Sequence, residues 1–398
     1  MLRILGPSSS GMLTKSFAFH YGKLLALCII LTLFADVASA EHVHRLYYNN
    51  SNWVDQDLTA LTGGGIAVPF GAIAAFYTTP NQQLHVYFVD TNSHVHQLFY
   101  NNTSWTDNDL TAFTGGPAAQ PFGIAGFAIG NLQYVFYVST DSHVHELNYN
   151  NADWTDQDLT ALVGGNTASA APLVAFATKP NNQFHVYYQD ANSLHEYQLY
   201  FNGTSWTYQD LTAITGAYCY TQWAAGAAVG NLQHVICPGY GGFSNNLDVI
   251  DINYNNSTWV YFDITYLAGG PRTPLNLSSG IAAFPVLNQG EVYAVTDDTH
   301  VHQYTYKSGH WNDLDLTSSI GAPADPHFGG IVAFPTKPNN QFHVYYQPSN
   351  EVYQLYFNGT SWSYQDLTGG AGQASYNSGM AGFAIGNLQH VFYLASGN

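Results

Sequence analysis

The sequence predicts an all-β fold: a seven-bladed β-propeller of four-stranded antiparallel blades, its ring closed by a composite blade built from both termini. Three observations carry this prediction. The string Trp-x3-Asp-[Leu/Ile]-Thr recurs seven times, beginning at Trp53, Trp105, Trp154, Trp206, Trp259, Trp311 and Trp362. The 309 residues from the first Trp to the last cover six intervals, a mean period of 51.5. Each period holds four short strand-like runs, the signature of a propeller blade. The chain also begins and ends its repeats on complementary half-units, which a ring requires and an elongated solenoid does not.

Residues 71–111 illustrate one period. Gly71-Ala-Ile-Ala-Ala-Phe76 is small and apolar, as an innermost strand beside a central channel must be. Gln83-Leu-His-Val-Tyr-Phe-Val89 is rich in β-branched and aromatic residues, which favour pleated structure. A turn at Asp90-Thr-Asn-Ser93 leads into His94-Val-His-Gln-Leu-Phe-Tyr100, and a second at Asn101-Asn-Thr-Ser104 leads into the Trp105 strand. Strand starts 8–12 residues apart, punctuated by turn residues, indicate antiparallel meanders. No helical period is expected after residue 40. The segment from Glu41 to Tyr48 reads as a third strand, and the chain finishes on a first strand and a second one, Leu388–Leu394. The two halves sum to one blade and remove the exposed sheet edges.

Residues 1–40 have a different character. Arg3, Lys15 and Lys23 precede an apolar run from Leu24 to Phe34, and the segment ends Ala38-Ser39-Ala40. A basic region, a short apolar region and small residues before a cleavage point describe a secretory signal peptide. About 11 apolar residues are too few to span a bilayer comfortably. The expected organisation is therefore a signal at 1–40 and a single propeller at 41–398, secreted and extracellular, with no transmembrane segment in the mature chain.

Composition excludes other classes. The 398 residues carry 8 Lys+Arg and 26 Asp+Glu. Removing three basic residues and one acidic residue with the signal leaves 5 against 25 and a net charge of −20. A nucleic-acid partner would need a basic face, and the residues for one are missing. Cys219 and Cys237 remain after Cys28 leaves with the signal, and in an oxidising compartment they can pair. Sequons occur at Asn49, Asn101, Asn102, Asn202, Asn255, Asn256, Asn276 and Asn358, most of them in the turn before the Trp strand.

The repeated residues divide by role. Trp and the Asp four residues on share one strand face. Their recurrence in every unit favours a structural role, with Asp and Thr holding the outgoing loop; sugar stacking is the competing role for the Trp set. His-x-His stands at 42/44, 94/96, 143/145 and 300/302, where alternation puts both imidazoles on one face. A metal site needs three or four ligands, and no repeat-wide carboxylate or Cys is seen to complete these pairs. The expectation is no metal and no cofactor, with imidazoles hydrogen-bonded between blades. An enzyme reading finds no nucleophile, acid/base pair or metal set, because the acids recur with the repeat.

A second set of residues joins strands two and three. It reads His85, Gln97, Tyr100 and Trp105; then Tyr134, Glu146, Tyr149 and Trp154; then His185, Gln198, Phe201 and Trp206. Later copies are His343, Gln354, Phe357 and Trp362, and, across the termini, His390, Arg45, Tyr48 and Trp53. The sixth unit offers Glu291, Gln303, Tyr306 and Trp311, while the fifth breaks the pattern with His234, Asp251 and Tyr254. This arrangement resembles the fungal fucose-specific lectins of the Aleuria type, whose repeat places an Arg on strand two, a Glu on strand three, an aromatic three residues beyond and a Trp after a short turn. The resemblance implies a propeller lectin with sugar pockets between blades, lined by the residues just named. Two departures stand out: seven counted units against six in that family, and His–Gln where it has Arg–Glu. Independently of the resemblance, aromatic platforms flanked by Asn, Gln, Asp and His suit pyranose rings. Seven weak sites on one ring would gain avidity for glycan-coated surfaces. The expected function is thus a secreted multivalent carbohydrate-binding protein, with glycans or glycoconjugates as partners. The alternative is a non-catalytic propeller acting as an extracellular protein-interaction or surface-matrix component.

Overall fold

The computed structural model describes residues 41–49, 51–220, 224–240, 247–273, 280–286, 289–326, 330–368, 374–375 and 378–397. The signal-peptide reading of residues 1–40, like the sequon at Asn276, lies outside these.

Seven antiparallel sheets form the seven blades of a propeller. Blade 1 is the composite: Met380–Ile385, Leu388–Ser396, Glu41–Tyr48 and Trp53–Asp57, in that spatial order. Blades 2 to 4 begin at Ile73–Tyr77, Ala119–Ile129 and Val174–Ala177 and end on Trp105–Asp109, Trp154–Asp158 and Trp206–Asp210. Blades 5 to 7 begin at Ala225–Val229, Ile281–Val286 and Ile331–Pro335 and end on Trp259–Asp263, His310–Asp315 and Trp362–Asp366. Each first strand contacts the first strand of the next blade, and Met380–Ile385 contacts Ile73–Tyr77, so the ring is closed. Glu41 to Tyr47 pair in register with Ser396 to His390, which joins the two termini across the closing blade. Blade 5 carries an extra short strand, Tyr218–Cys219, against Leu232–Tyr240. A disulfide joins Cys219 to Cys237 beside it.

The Trp-x3-Asp-Leu-Thr string has a definite local meaning. In six blades the Asp ends the fourth strand and caps a five-residue helical turn that begins at Leu58, Leu110, Leu159, Leu211, Ile264 or Leu316. The carboxylate accepts the N–H three residues on, as Asp57 does from Ala60 and Asp109 from Ala112, both at 2.8 Å. That satisfies a donor the first turn leaves free. A Gly in the left-handed region, such as Gly63 at φ +63°, ends each turn. These turns correct the expectation of no helix. One turn of helix is too short to impose a 3.6-residue pattern, but its cap was legible. The Thr works in the other direction: its Oγ1 accepts the backbone N–H at the start of the third strand in all seven blades, from Val43 to Thr59 through Val352 to Thr368.

A second, longer repeat lies over the first. Blades 2, 4 and 7 have a Pro-containing turn between strands one and two, at Pro80, Pro180 and Pro338. Blades 3, 5 and 1 have instead a tight Gly-Asn turn at Gly130, Gly230 and Gly386. The two kinds meet. Thr79, Lys179 and Lys337 donate backbone N–H groups to Gly130, Gly230 and Gly386 at 2.9, 3.1 and 3.1 Å. Phe76, Phe176 and Phe334 pack onto Gly126, Gly226 and Gly382 of the following blade, where a Cβ would fall within 2.8–3.0 Å of the ring. Only glycine admits that approach. The ring is therefore three interlocked blade pairs (2 with 3, 4 with 5, 7 with 1) and a single blade 6.

Candidate functional site

The candidate residues lie where one blade faces the next, and alternation along the third strand decides what each blade contributes. Residues three apart on a strand point to opposite faces. Gln97 and Tyr100 thus diverge, as do Glu146 and Tyr149, Gln198 and Phe201, Gln354 and Phe357, and Arg45 and Tyr48. This corrects the within-blade quartets. Each aromatic pairs with its own Trp, at 5.3–5.6 Å between ring centroids, and together they face the preceding blade. Trp105 stands edge-on to Phe392, Trp154 to Tyr87, Trp206 to Phe136, Trp259 to Tyr187, Trp362 to Tyr293 and Trp53 to Tyr345. A complete site therefore takes its polar floor from one blade and its aromatic wall from the next.

Between blades 3 and 4 this arrangement encloses a concavity of about 640 Å³. Tyr134, Glu146, Asn148 and Gln157 come from blade 3, and Phe184, Phe201 and Trp206 from blade 4. Leu162, Thr204 and Ser205 complete the rim. Glu146 is buried and receives only a 3.4 Å hydrogen bond from Asn148 Nδ2, so burial pushes its carboxyl up to about 7. The floor therefore holds a group with spare acceptor and donor capacity next to an aromatic wall. Between blades 5 and 6 a second concavity, about 560 Å³, brings His234, Asp251 and Asn253 against Tyr306 and Trp311. Burial opposes protonation of His234, yet the Asp251 carboxylate, 3.0 Å away, holds its pKa above the ordinary value.

Between blades 1 and 2 the floor is His390 and Arg45, with Arg45 Nη2 2.8 Å from His390 Nδ1. The guanidinium lies 4.2 Å over the Tyr47 ring and 5.5 Å from that of Trp105. Burial pulls Arg45 down to about 10 and, with the Arg45 charge, His390 down to about 3. Between blades 6 and 7, Gln303 Nε2 donates to Glu291 at 2.8 Å, and burial raises the Glu291 pKa.

Blades 2, 4 and 7 use the same positions differently. In blade 4, Gln198 Nε2 lies 3.0 Å from His185 Nδ1, 2.8 Å from Tyr187 Oη and 2.7 Å from Gln233 Oε1 of blade 5. Gln209 donates to Gln198 Oε1 at 2.6 Å, and Tyr187 donates to Gln233 at 2.7 Å. His185 Nε2 is 3.2 Å from Thr178 Oγ1, whose own proton goes to Asn181. Every polar atom of the pair is thus satisfied. His85 with Gln97 and His343 with Gln354 repeat the pattern, reaching Gln133 and Gln389 of the next blade. His85, His185 and His343 are at most 1% exposed, and burial depresses them to about 3, 3 and 4, so they are neutral. Above the blade 7 network a concavity of about 640 Å³ remains, walled by Tyr48 and Trp53. The Gln set of the following blade escaped the sequence reading, although Gly-Asn-Leu-Gln at 130–133, 230–233 and 386–389 announced it.

The His-x-His pairs also differ from expectation. They bond within a blade, not between blades. The first His meets the capping Asp of its own fourth strand: His42 with Asp57, His94 with Asp109, His143 with Asp158 and His300 with Asp315, at 2.6–2.7 Å. The second meets the Asp two residues after the Trp: His44 with Asp55, His96 with Asp107, His145 with Asp156 and His302 with Asp313. Repeat-wide carboxylates do complete these pairs, because strand pairing brings together residues 11–15 apart. Blades 4 and 7 place Tyr197 with Tyr208 and Tyr353 with Tyr364 at the second pair of positions instead.

Comparison with known proteins adds to this geometry. Residues 29–198 match the family model described as fungal fucose-specific lectin. The chain resembles that family. No curated protein sequence matches. Among solved structures, the BP39L lectin from Burkholderia pseudomallei superposes with a TM-score of 0.59 at 17% identity, covering 82% of this chain and 97% of that one. A lectin from Arthrobotrys oligospora gives 0.51 at 13% identity over 88% and 92% of the two chains. The six-bladed lectin of Aleuria aurantia gives 0.50 at 17% identity over 74% and 95%. At these identities the likeness establishes the propeller fold, and the resemblance first drawn from the repeated residues is borne out by the family match.

Proposed function

We propose that the chain is a secreted, non-catalytic, multivalent carbohydrate-binding protein whose glycan pockets are the concavities between blades. The observation that carries this reading is the site between blades 3 and 4. Glu146, Asn148 and Gln157 offer hydrogen-bonding groups to sugar hydroxyls, while Trp206 and Phe201 offer rings to the apolar face of a pyranose. The family match and the likeness of the fold to known lectins support the same class of ligand. Repetition of the site around a rigid ring supports multivalent binding, in which several weak contacts raise avidity. The reading of residues 1–40 as an export signal supports secretion; among the described residues no helix is long and apolar enough to cross a membrane.

A glycan array probed with the purified protein at pH 5 and pH 7.5 tests the proposal. Binding to a defined set of glycans, weakened on replacing Trp206, is the expected result. Failure of every glycan at multivalent presentation sinks it and leaves the protein-interaction reading.

A further inference from the structure

The His and Asp side chains that the glycan pockets do not use form ligand sets at the other end of the outer hairpin from the aromatic wall. His300 and His302 begin the third strand of blade 6, Asp298 sits in the turn before it, and Asp315 ends the paired fourth strand. One ligand atom from each of these four residues lies within 4.8 Å of all the others. His302 Nε2 is 3.1 Å from Asp298 Oδ2, and His300 Nδ1 is 2.7 Å from Asp315 Oδ2 and 3.9 Å from Asp298 Oδ2. Ligands about 2.0–2.2 Å from a tetrahedral ion stand roughly 3.3–3.5 Å from one another. The observed separations of 2.7, 3.1 and 3.9 Å straddle that value.

The orientation of the imidazoles is already that of ligands. His302 Nδ1 is held by Asp313 Oδ1 at 2.8 Å, which turns the Nε2 atom toward Asp298 and Asp315. A carboxylate on the far ring nitrogen is the usual outer support of a metal-binding His. The same design recurs with three ligands in blade 1, from His42, His44 and Asp57, and in blade 3, from Asp141, His145 and Asp158. In blade 3, His145 is 5% exposed, Asp156 holds its Nδ1 at 2.8 Å, and its Nε2 is buried with no hydrogen-bond partner among the described residues, 3.8 Å from Asp158 Oδ2. A buried nitrogen left unpaired is costly unless something occupies the space it faces.

We propose that the Asp298, His300, His302 and Asp315 cluster is a binding site for a divalent transition-metal ion of the zinc class, with weaker three-ligand counterparts in blades 1 and 3. Mixed imidazole and carboxylate donors suit Zn²⁺ rather than Ca²⁺ or Mg²⁺, which favour all-oxygen sets. His302 shares a strand face with the wall residue Tyr306 but stands four residues away, about 13 Å along the strand, so metal and glycan occupy separate sites. An ion here would tie the turn at Asp298 to the capped helical turn at Leu316, stabilising the blade by linkage.

Equilibrium dialysis of the untagged protein against Zn²⁺ at neutral pH, followed by metal analysis, is the test. The expected result is at least one tightly bound equivalent, a rise in melting temperature with Zn²⁺ but not with Mg²⁺, and four-coordinate visible absorption with Co²⁺. Asp298→Asn and His300→Gln are the variants of choice, since both leave the Asp315 cap and the His302–Asp313 pair intact. Each is expected to lose one equivalent while keeping the metal-free circular dichroism and melting temperature. No uptake by the wild-type protein, or uptake unchanged in both variants, overturns the proposal.

Discussion

Two kinds of blade junction share one sequence position and reach opposite ends. Within a blade pair, as between blades 4 and 5, the strand-three Gln bridges its own His and Tyr to a Gln of the next blade, and nothing polar is left over. Between pairs, as from blade 3 to blade 4, the equivalent position is Glu146, which no group of the next blade answers and which faces an open concavity. Both junctions keep the aromatic wall. The difference teaches that this ring uses one repeated slot either as an interlocking network or as a binding floor. At the interlocked junctions the partner is the Gln that follows Gly-Asn-Leu in the next blade, Gln133, Gln233 or Gln389.

That contrast is open to attack at several points. The largest effect is expected from Gln198→Leu, which removes the hub of a buried network, strips His185 Nδ1 and Gln209 Nε2 of their Gln198 partner and leaves Tyr187 and Gln233 with only their mutual bond. Each unpartnered group costs roughly 1–3 kcal/mol. Denaturant unfolding should show a far greater loss than for Glu146→Gln, and equal losses would erase the distinction between the junctions.

Next in size is the interlock itself. A Cβ on Gly226 would lie 2.2 Å from Val174 Cγ1 and 2.8 Å from Phe176. Gly226→Ala should cost about 1–3 kcal/mol through overpacking. Retention of full stability would show that the pair seam yields easily.

The aromatic wall should behave in the opposite way. Trp206→Ala is expected to weaken glycan binding by at least about tenfold, roughly 1.4 kcal/mol, with the blade 5 to 6 site unaffected. Unchanged affinity by titration calorimetry would remove the blade 3 to 4 concavity from the functional surface.

The smallest effect, and the most diagnostic, is pH dependence of opposite sign. His85, His185 and His343 titrate at about 3 to 4 when folded, whereas the unfolded chain takes up their protons below about 6.5. Their contribution is therefore complete above about 6.5 and lost as pH falls. Glu146 titrates at about 7 when folded and near 4.5 when unfolded, so its contribution is present below 4.5 and lost as pH rises through 7. Melting temperatures across pH 4–8 should show Glu146→Gln flattening the upper part of the profile, and His185→Gln the lower.

Much of the fold could be read before any coordinate was known. Strand alternation, turn residues and the Trp-x3-Asp-Leu-Thr string are local, and local geometry dictated seven units, their boundaries and the half-units that close the ring. The structural role of Asp and Thr was legible for the same reason, because a cap and a strand-end hydrogen bond lie within one hairpin. The candidate site was legible only in part. Its residue types were found, but their grouping was not, since Gln97 and Tyr100 lie on one strand and face different neighbours.

Sequence alone determined the count, the order and the chemistry of the repeats, because a period of two along a strand and a capped turn are properties of short segments. Tertiary structure decided which blade completes which site. Tyr87 meets Gln133 and Tyr187 meets Gln233 across 46 residues. No local rule connects such positions. Only the closed ring, by seating each blade against the next, turns one repeated slot into a saturated network at some junctions and a sparsely bonded floor at others.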